Sequence, residues 1–233
     1  MKRLQKVRII FVALFTLTIP YAMISKIIHQ IILGDKPNEL IVKCIESWNI
    51  LVEHDFSIRV WDNNAILNLL EENYEFALPA FKSARNLAEA GDIARYLIVY
   101  HHSGYYVDWD IQLNDLYKFL KLHEDYSQGC LLVDTNGSIA SEFFSAMLHE
   151  RYLLELVKDI VETFNRGERD LMYTPQYSGP FRMQSSLRRH LITSQSLIRV
   201  KEIFEYDYSE IRSAKVFGKN GIMTHYWSHT WMK

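Results

Sequence analysis

Two apolar periodicities take turns along this chain, and their alternation restricts the fold more than any single residue does. KIIHQIIL, Lys26 to Leu33, is a short continuous apolar run closed by GDKP, the pattern of a buried strand followed by a turn. NELIVKCIESWNILVEH then sets Leu40, Ile41, Cys44, Ile45, Trp48, Leu51 and Val52 at helical spacing, with Asn38 placed to cap the helix. FSIRVWDNN alternates as a strand and ends in turn residues, and NAILNLLEENY is another short helix. Strand, helix, strand, helix in that order predicts an α/β fold, a Rossmann-like mostly parallel sheet flanked by helices.

The rest of the chain continues the theme. FKSARNLAEAGDIARYLIVYHHSG is read as mostly helix after Pro79, with Gly104 as the residue just past its end. YYVDWDIQL is read as one strand and GCLLVD as another, before an NGS turn. YLLELVKDIVETFNRGE is an amphipathic helix with Gly167 near its end, RMQSSLRRHL a further helix and LIRVKEIF a strand. No repeat or low-complexity linker divides residues 23–233, which are expected to form one domain. Net charge is −2, so no basic field recruits nucleic acid. Cys44 and Cys130 sit in apolar runs and read as buried thiols.

The strand that carries DWD poses a chemical question. Residues i and i+2 of a strand share a face, so Asp108 and Asp110 are expected to point the same way. Ligands of a parallel sheet gather beyond the carboxyl ends of its strands. Two carboxylates there form a hard-oxygen site suited to Mn2+ or Mg2+ with substrate phosphates. Asp92 and Arg95, three residues apart on the preceding helix, share a face and read either as a surface ion pair or as part of the same site.

The ordered series ISKIIHQIIL, SWNI, RVWDNN, AEAGDIAR and SGYYVDWD resembles the donor-site core of glycosyltransferases with the GT-A fold, and family 32 among them. That family includes initiating mannosyltransferases and many capsular polysaccharide enzymes. Departures are Ser25 for a usual Pro, Ile32 for a common Trp, Gly91 for a Ser and Ser103 for a Gly. The resemblance implies transfer of a hexosyl group from a UDP- or GDP-sugar to a saccharide or lipid-linked acceptor, dependent on Mn2+ or Mg2+ and retaining. It implies metal binding by Asp108, Asp110 and His225, the two aspartates being the catalytic residues. His29, Gln30, Asp92, Arg95, Asn136 and Trp231 are implied as donor-binding, and YSGPF (Tyr177 to Phe181) as a loop near the acceptor. His29 reads equally as a hydrogen-bonded core histidine and Asn136 as a turn residue. A metal-dependent phosphoesterase and a non-catalytic nucleotide-sugar-binding protein are the alternatives.

Residues 1–22 read as an apolar leader or an upstream extension. Lys2, Arg3, Lys6 and Arg8 precede an apolar run, interrupted by Pro20, that is shorter than the ~20 residues a span needs. A span would carry the domain away from cytosolic nucleotide sugars. The expectation is therefore a cytoplasmic enzyme with peripheral contact at the inner face of the membrane, a Golgi type II membrane protein being the alternative.

Overall fold

The computed structural model describes residues 23–34, 36–134, 137–213 and 220–228. Residues 1–22, on which the leader and its membrane contact were read, lie outside them, as do Asn136 and Trp231.

The expected alternation is present. Strand β1 (Ile27–Ile31) is followed by helix α1 (Glu39–Glu46), β2 (Ser57–Trp61), α2 (Asn63–Asn73), α3 (Leu78–Lys82) and α4 (Leu87–His102). Then come β3 (Gly104–Val107), β4 (Ile111–Leu113), α5 (Leu116–Asp125), β5 (Gly129–Val133) and β6 (Ile139–Ala146). Helices α6 (Arg151–Asn165), α7 (Thr174–Tyr177) and α8 (Pro180–His190) precede β7 (Ser196–Arg199) and β8 (Met223–His225). Six strands form one sheet in the order β2-β1-β3-β6-β5-β7, and β6 alone runs against the rest. β4 and β8 form a separate antiparallel ribbon that pairs Ile111 with His225.

Alternation along the strands divides the core in two. Tyr106 and Phe144 face one layer, packed with side chains of α2, α4 and α6, while Tyr105 and Phe143 face the other, with Trp48 and Phe119. Both layers rest on the 2.0-residue period of the strands. Cys44 and Cys130 are free and buried, as expected.

Three sequence readings are corrected. The helix expected through FKSARNLAEAG is broken, because Asn86 accepts a hydrogen bond from the Glu89 amide (2.9 Å) and starts α4 afresh. LIRVKEIF leaves its strand at Arg199 and turns into a short helix. YYVDWDIQL is two strands, since the Ile111 amide bonds the Asp108 carbonyl (3.1 Å) and closes a turn over Trp109 and Asp110. Asp108 and Asp110 therefore meet across a turn and not along one strand face. Gly104 does follow the end of α4, at φ 102°, where a Cβ would lie 2.5 Å from the Ile27 carbonyl. That close approach lets β3 start directly beside β1.

His29 in β1 is fully buried, its Nε2–H donating to the Ser103 carbonyl (2.9 Å) and its Nδ1 accepting the Trp61 indole N–H (3.2 Å). Both bonds fit a neutral ring. Burial holds its pKa down to about 3 against the Ser103 bond, with His102 and Arg59 adding to the depression. As pH falls below 6.5 the unfolded chain takes up this proton and the folded one does not, so stability drops by up to ~1.4 kcal/mol per pH unit. His29→Leu is expected to be less stable than wild type at pH 7 yet to lose less between pH 7 and pH 5 in urea titrations. Parallel losses in the two proteins would show that His29 is not the proton acceptor.

Candidate active site

The sheet's carboxyl edge opens into a cleft of about 470 Å3, reached by Ile31 at the end of β1 and Leu33 beyond it, by Asp92 and Arg95 on α4, and by Asp108 and Asp110 beyond β3. Three elements deliver the charged groups. Helix α4 starts next to the cleft, anchored by the buried Glu89, which accepts from the Arg85 amide (2.9 Å) and Nε (2.7 Å). One turn further, Asp92 and Arg95 enter the cleft.

Arg95 is buried, and its guanidinium ties the site together. NH1 donates to the Ser141 carbonyl (2.8 Å) and lies 3.3 Å from Asp108 Oδ1. NH2 lies 3.3 Å from Asp92 Oδ1, and the guanidinium carbon sits 4.5 Å from the centre of the Tyr106 ring. The surface-pair reading of Asp92 and Arg95 is thus replaced by a buried network. Burial raises the Asp92 carboxyl to about 6 against the attraction of Arg95 and the Ser178 hydroxyl, which donates to Asp92 Oδ2 (2.7 Å). Tyr106 donates its hydroxyl to Asp108.

The β4–β8 ribbon supplies the other half. Its register sets His225 opposite Ile111, so the imidazole Nε2 comes within 3.3 Å of Asp110 Oδ1. The Ser228 amide donates to Asp110 Oδ2 (2.7 Å). Burial works against both charges, but for Asp110 it is outweighed by His225 together with Ser228, and for His225 by Asp110 together with Glu142: Asp110 falls to about 2 and His225 rises to about 10. On its far side His225 Nδ1 is 3.8 Å from Glu142 Oε1, an ion-pair separation. Trp227 stacks on the imidazole with ring centres 4.0 Å apart.

Asp108, Asp110 and His225 each offer a ligand atom, all within 4.8 Å of one another. Two carboxylates and an imidazole suit Mn2+ or Mg2+. The residues fit a divalent cation.

Of the sequence-read site residues, Asp92, Arg95, Asp108, Asp110 and His225 line one cleft. His29 and Gln30 do not; His29 is spent on Ser103 and Trp61, and Gln30 is fully buried on the opposite face of β1. Glu142, Trp227 and Ser228 line the cleft without having been singled out. The signal for Glu142 was present: one acid inside the apolar run IASEFFSA. YSGPF reaches the cleft through Gly179 and Pro180.

Residues 38–127 match the family described as glycosyltransferase sugar-binding region containing DXD motif. Inositol phosphoceramide mannosyltransferase 1 of Schizosaccharomyces pombe is 22% identical over 181 residues, covering 77% of this chain and 52% of its own length. An uncharacterized glycosyltransferase of Acanthamoeba polyphaga mimivirus is 36% identical over 93 residues, 38% of this chain and 36% of its own. The chain thus spans about half or less of these relatives. Among solved structures, the PaToxG glycosyltransferase superposes with a TM-score of 0.53 at 17% identity, covering 74% of this chain and 72% of the other. The UDP-bound glycosyltransferase domain of the YGT toxin gives 0.52 at 8% identity, over 76% and 80%.

Proposed function

We propose that this chain, which carries the DXD-containing glycosyltransferase sugar-binding region on a GT-A fold, transfers a hexosyl group from a nucleoside diphosphate sugar to an acceptor hydroxyl. The observation that carries this reading is the convergence of Asp108, Asp110 and His225 on one edge of a cleft whose wall holds Arg95 and Asp92. The S. pombe relative is named for mannosyl transfer to inositol phosphoceramide, and the YGT domain was solved with UDP. The second agrees with a nucleoside diphosphate donor. The finer placement in family 32 rests on the ordered motifs from ISKIIHQ to VDWD.

Asp108, Asp110 and His225 would hold the cation, and Mn2+ or Mg2+ there supplies Lewis acidity for a diphosphate leaving group. Arg95 fixes Asp92 and Asp108 in the cleft wall and adds permanent positive charge beside them. Asp92, oriented by Ser178, is placed to accept a donor-sugar hydroxyl. Because substitution retains configuration in this reading, the acceptor attacks on the face the diphosphate leaves, and its proton passes to the departing phosphate oxygen. The reading keeps the donor pool cytosolic, at the inner face of a membrane.

Donor hydrolysis tests it. Incubation with UDP-glucose, UDP-galactose, UDP-N-acetylglucosamine or GDP-mannose in Mn2+ is expected to release nucleoside diphosphate from at least one donor, with release stopped by a chelator. Intact donors throughout, or release of inorganic phosphate from the diphosphate instead, would sink the assignment.

A further inference from the structure

Glu142 lines the cleft, yet the transfer chemistry gives it no task. It interrupts the apolar strand β6, where a charge is costly unless something meets it. Two backbone carbonyls of that strand already serve the site: Ser141 accepts from Arg95 NH1 (2.8 Å) and Glu142 accepts the Asp108 amide (2.9 Å). The Glu142 side chain reaches the other half of the site. Among the described residues its ion pair is with His225, Oε1 lying 3.8 Å from Nδ1.

The two nitrogens of His225 thus face different carboxylates. Nε2 lies 3.3 Å from Asp110 Oδ1 and is the nitrogen turned to the candidate cation ligands. Nδ1 is turned to Glu142, which is not one of that group. The ring is 4% exposed, with Trp227 stacked on it at 4.0 Å and Phe204 at 5.7 Å between ring centres. Stacking fixes the plane of an imidazole but is nearly indifferent to a half-turn within that plane, which would set carbon where each nitrogen stands. A carboxylate beside Nδ1 is not indifferent. A histidine that gives Nε2 to a cation carries its proton on Nδ1, and in a buried ring that proton needs an acceptor. Glu142 Oε1 stands about 1 Å beyond the usual ~2.9 Å of an N–H···O bond, within reach of a side-chain adjustment.

We infer that Glu142 is a positioning residue for the cation site: its carboxylate accepts the Nδ1–H of His225 and so keeps Nε2 turned to the cation held with Asp108 and Asp110. The inference rests on the cation site of the glycosyltransferase reading and gives Glu142 no contact with donor or acceptor. One residue of the six-stranded sheet then sets both the Asp108 backbone beyond β3 and the imidazole of the β4–β8 ribbon.

A mutant cycle read by Mn2+ binding, with no nucleotide sugar present, tests it. Electron paramagnetic resonance of free Mn2+ gives the affinity of the full chain, of Glu142→Gln, of His225→Ala and of the double variant. Glutamine keeps the size of the side chain and removes its charge. Glu142→Gln is expected to weaken Mn2+ binding by about tenfold or more, but by less than about twofold when His225 is already alanine. Equal losses in both backgrounds would mean that Glu142 acts on the cation by its own charge or as a ligand, and would overturn the proposal. So would a wild type that binds Mn2+ no better than His225→Ala. The tautomer is a second measurement, made on the wild-type chain alone. With Zn2+ as a diamagnetic probe, 15N-histidine spectra are expected to show the His225 proton on Nδ1; a proton on Nε2 would overturn the proposal equally. Coupled losses in a protein that hydrolyses no nucleotide sugar would sustain the positioning role and remove only the transfer reading. Donor hydrolysis beside additive losses would keep the transfer reading and remove the positioning role.

Discussion

Asp110→Asn is expected to give a folded chain whose Mn2+-dependent release of nucleoside diphosphate falls by about 10³-fold or more. The carboxylate lies 3.3 Å from His225 and accepts the Ser228 amide at 2.7 Å. An asparagine keeps the volume, and its carbonyl oxygen still accepts from Ser228, so the turn over Trp109 survives. The negative charge does not. With it goes the main support of the His225 imidazolium, whose pKa falls back from about 10 as burial takes over. The site then offers a cation one carboxylate and a neutral ring. Initial rates at saturating Mn2+, beside near-ultraviolet dichroism to verify the fold, are the measurement; an undiminished rate would remove Asp110 from the metal site.

Arg95→Ala acts first on stability. Its guanidinium lies 3.3 Å from both Asp92 and Asp108, covers the Tyr106 ring and caps the Ser141 carbonyl. Removing one partner of a buried charge network leaves the others uncompensated, typically at about 3–5 kcal/mol. The donor-site resemblance suggested the reverse ranking, with donor binding suffering more than the fold, because it set Arg95 on the nucleotide sugar. The pH dependence gives a second handle. Asp92 already titrates near 6, and without Arg95 it rises further, so at pH 5 the folded variant holds a proton there and loses less. Urea unfolding at pH 7 and pH 5 is expected to show the gap to wild type narrowing at the lower pH. A loss below about 1 kcal/mol at pH 7, with donor affinity alone reduced, would return Arg95 to a purely binding role.

Much of the layout was legible from local chemistry. Apolar runs of two periods named β1, β2, α2 and α6, and the Asn38 cap is present, accepting from the Ile41 amide at 3.0 Å. The aspartates were legible because charge at the end of a buried run needs a partner. What stayed hidden is long-range. That α3 and α4 separate depends on Asn86 reaching both the Glu89 amide and Thr174, the latter far along the chain. Glu142 became a cleft residue only when β6 slid antiparallel beside β3, putting the Glu142 carbonyl on the Asp108 amide (2.9 Å). The turn within VDWDIQL was masked because DWD between two apolar runs satisfies strand alternation as well as it satisfies a turn. His29 was open between a donor contact and a hydrogen-bonded core residue, and its bonds to Ser103 and Trp61 favour the second.

The β4–β8 ribbon also sets a clock. It joins Ile111 to His225, a wider gap in the chain than any pairing in the six-stranded sheet spans. Closing a wider loop costs more entropy, and distant pairings come late. The six-stranded sheet can pair without the ribbon, so a refolding chain is expected to close that sheet before Ile111, Leu113 and Met223 complete the second core layer and Asp110 gains its imidazole. Pulse-labelled exchange should find the amides of β4 protected after those of β3. Protection of both in a single phase would mean that the two halves of the acidic site are born together.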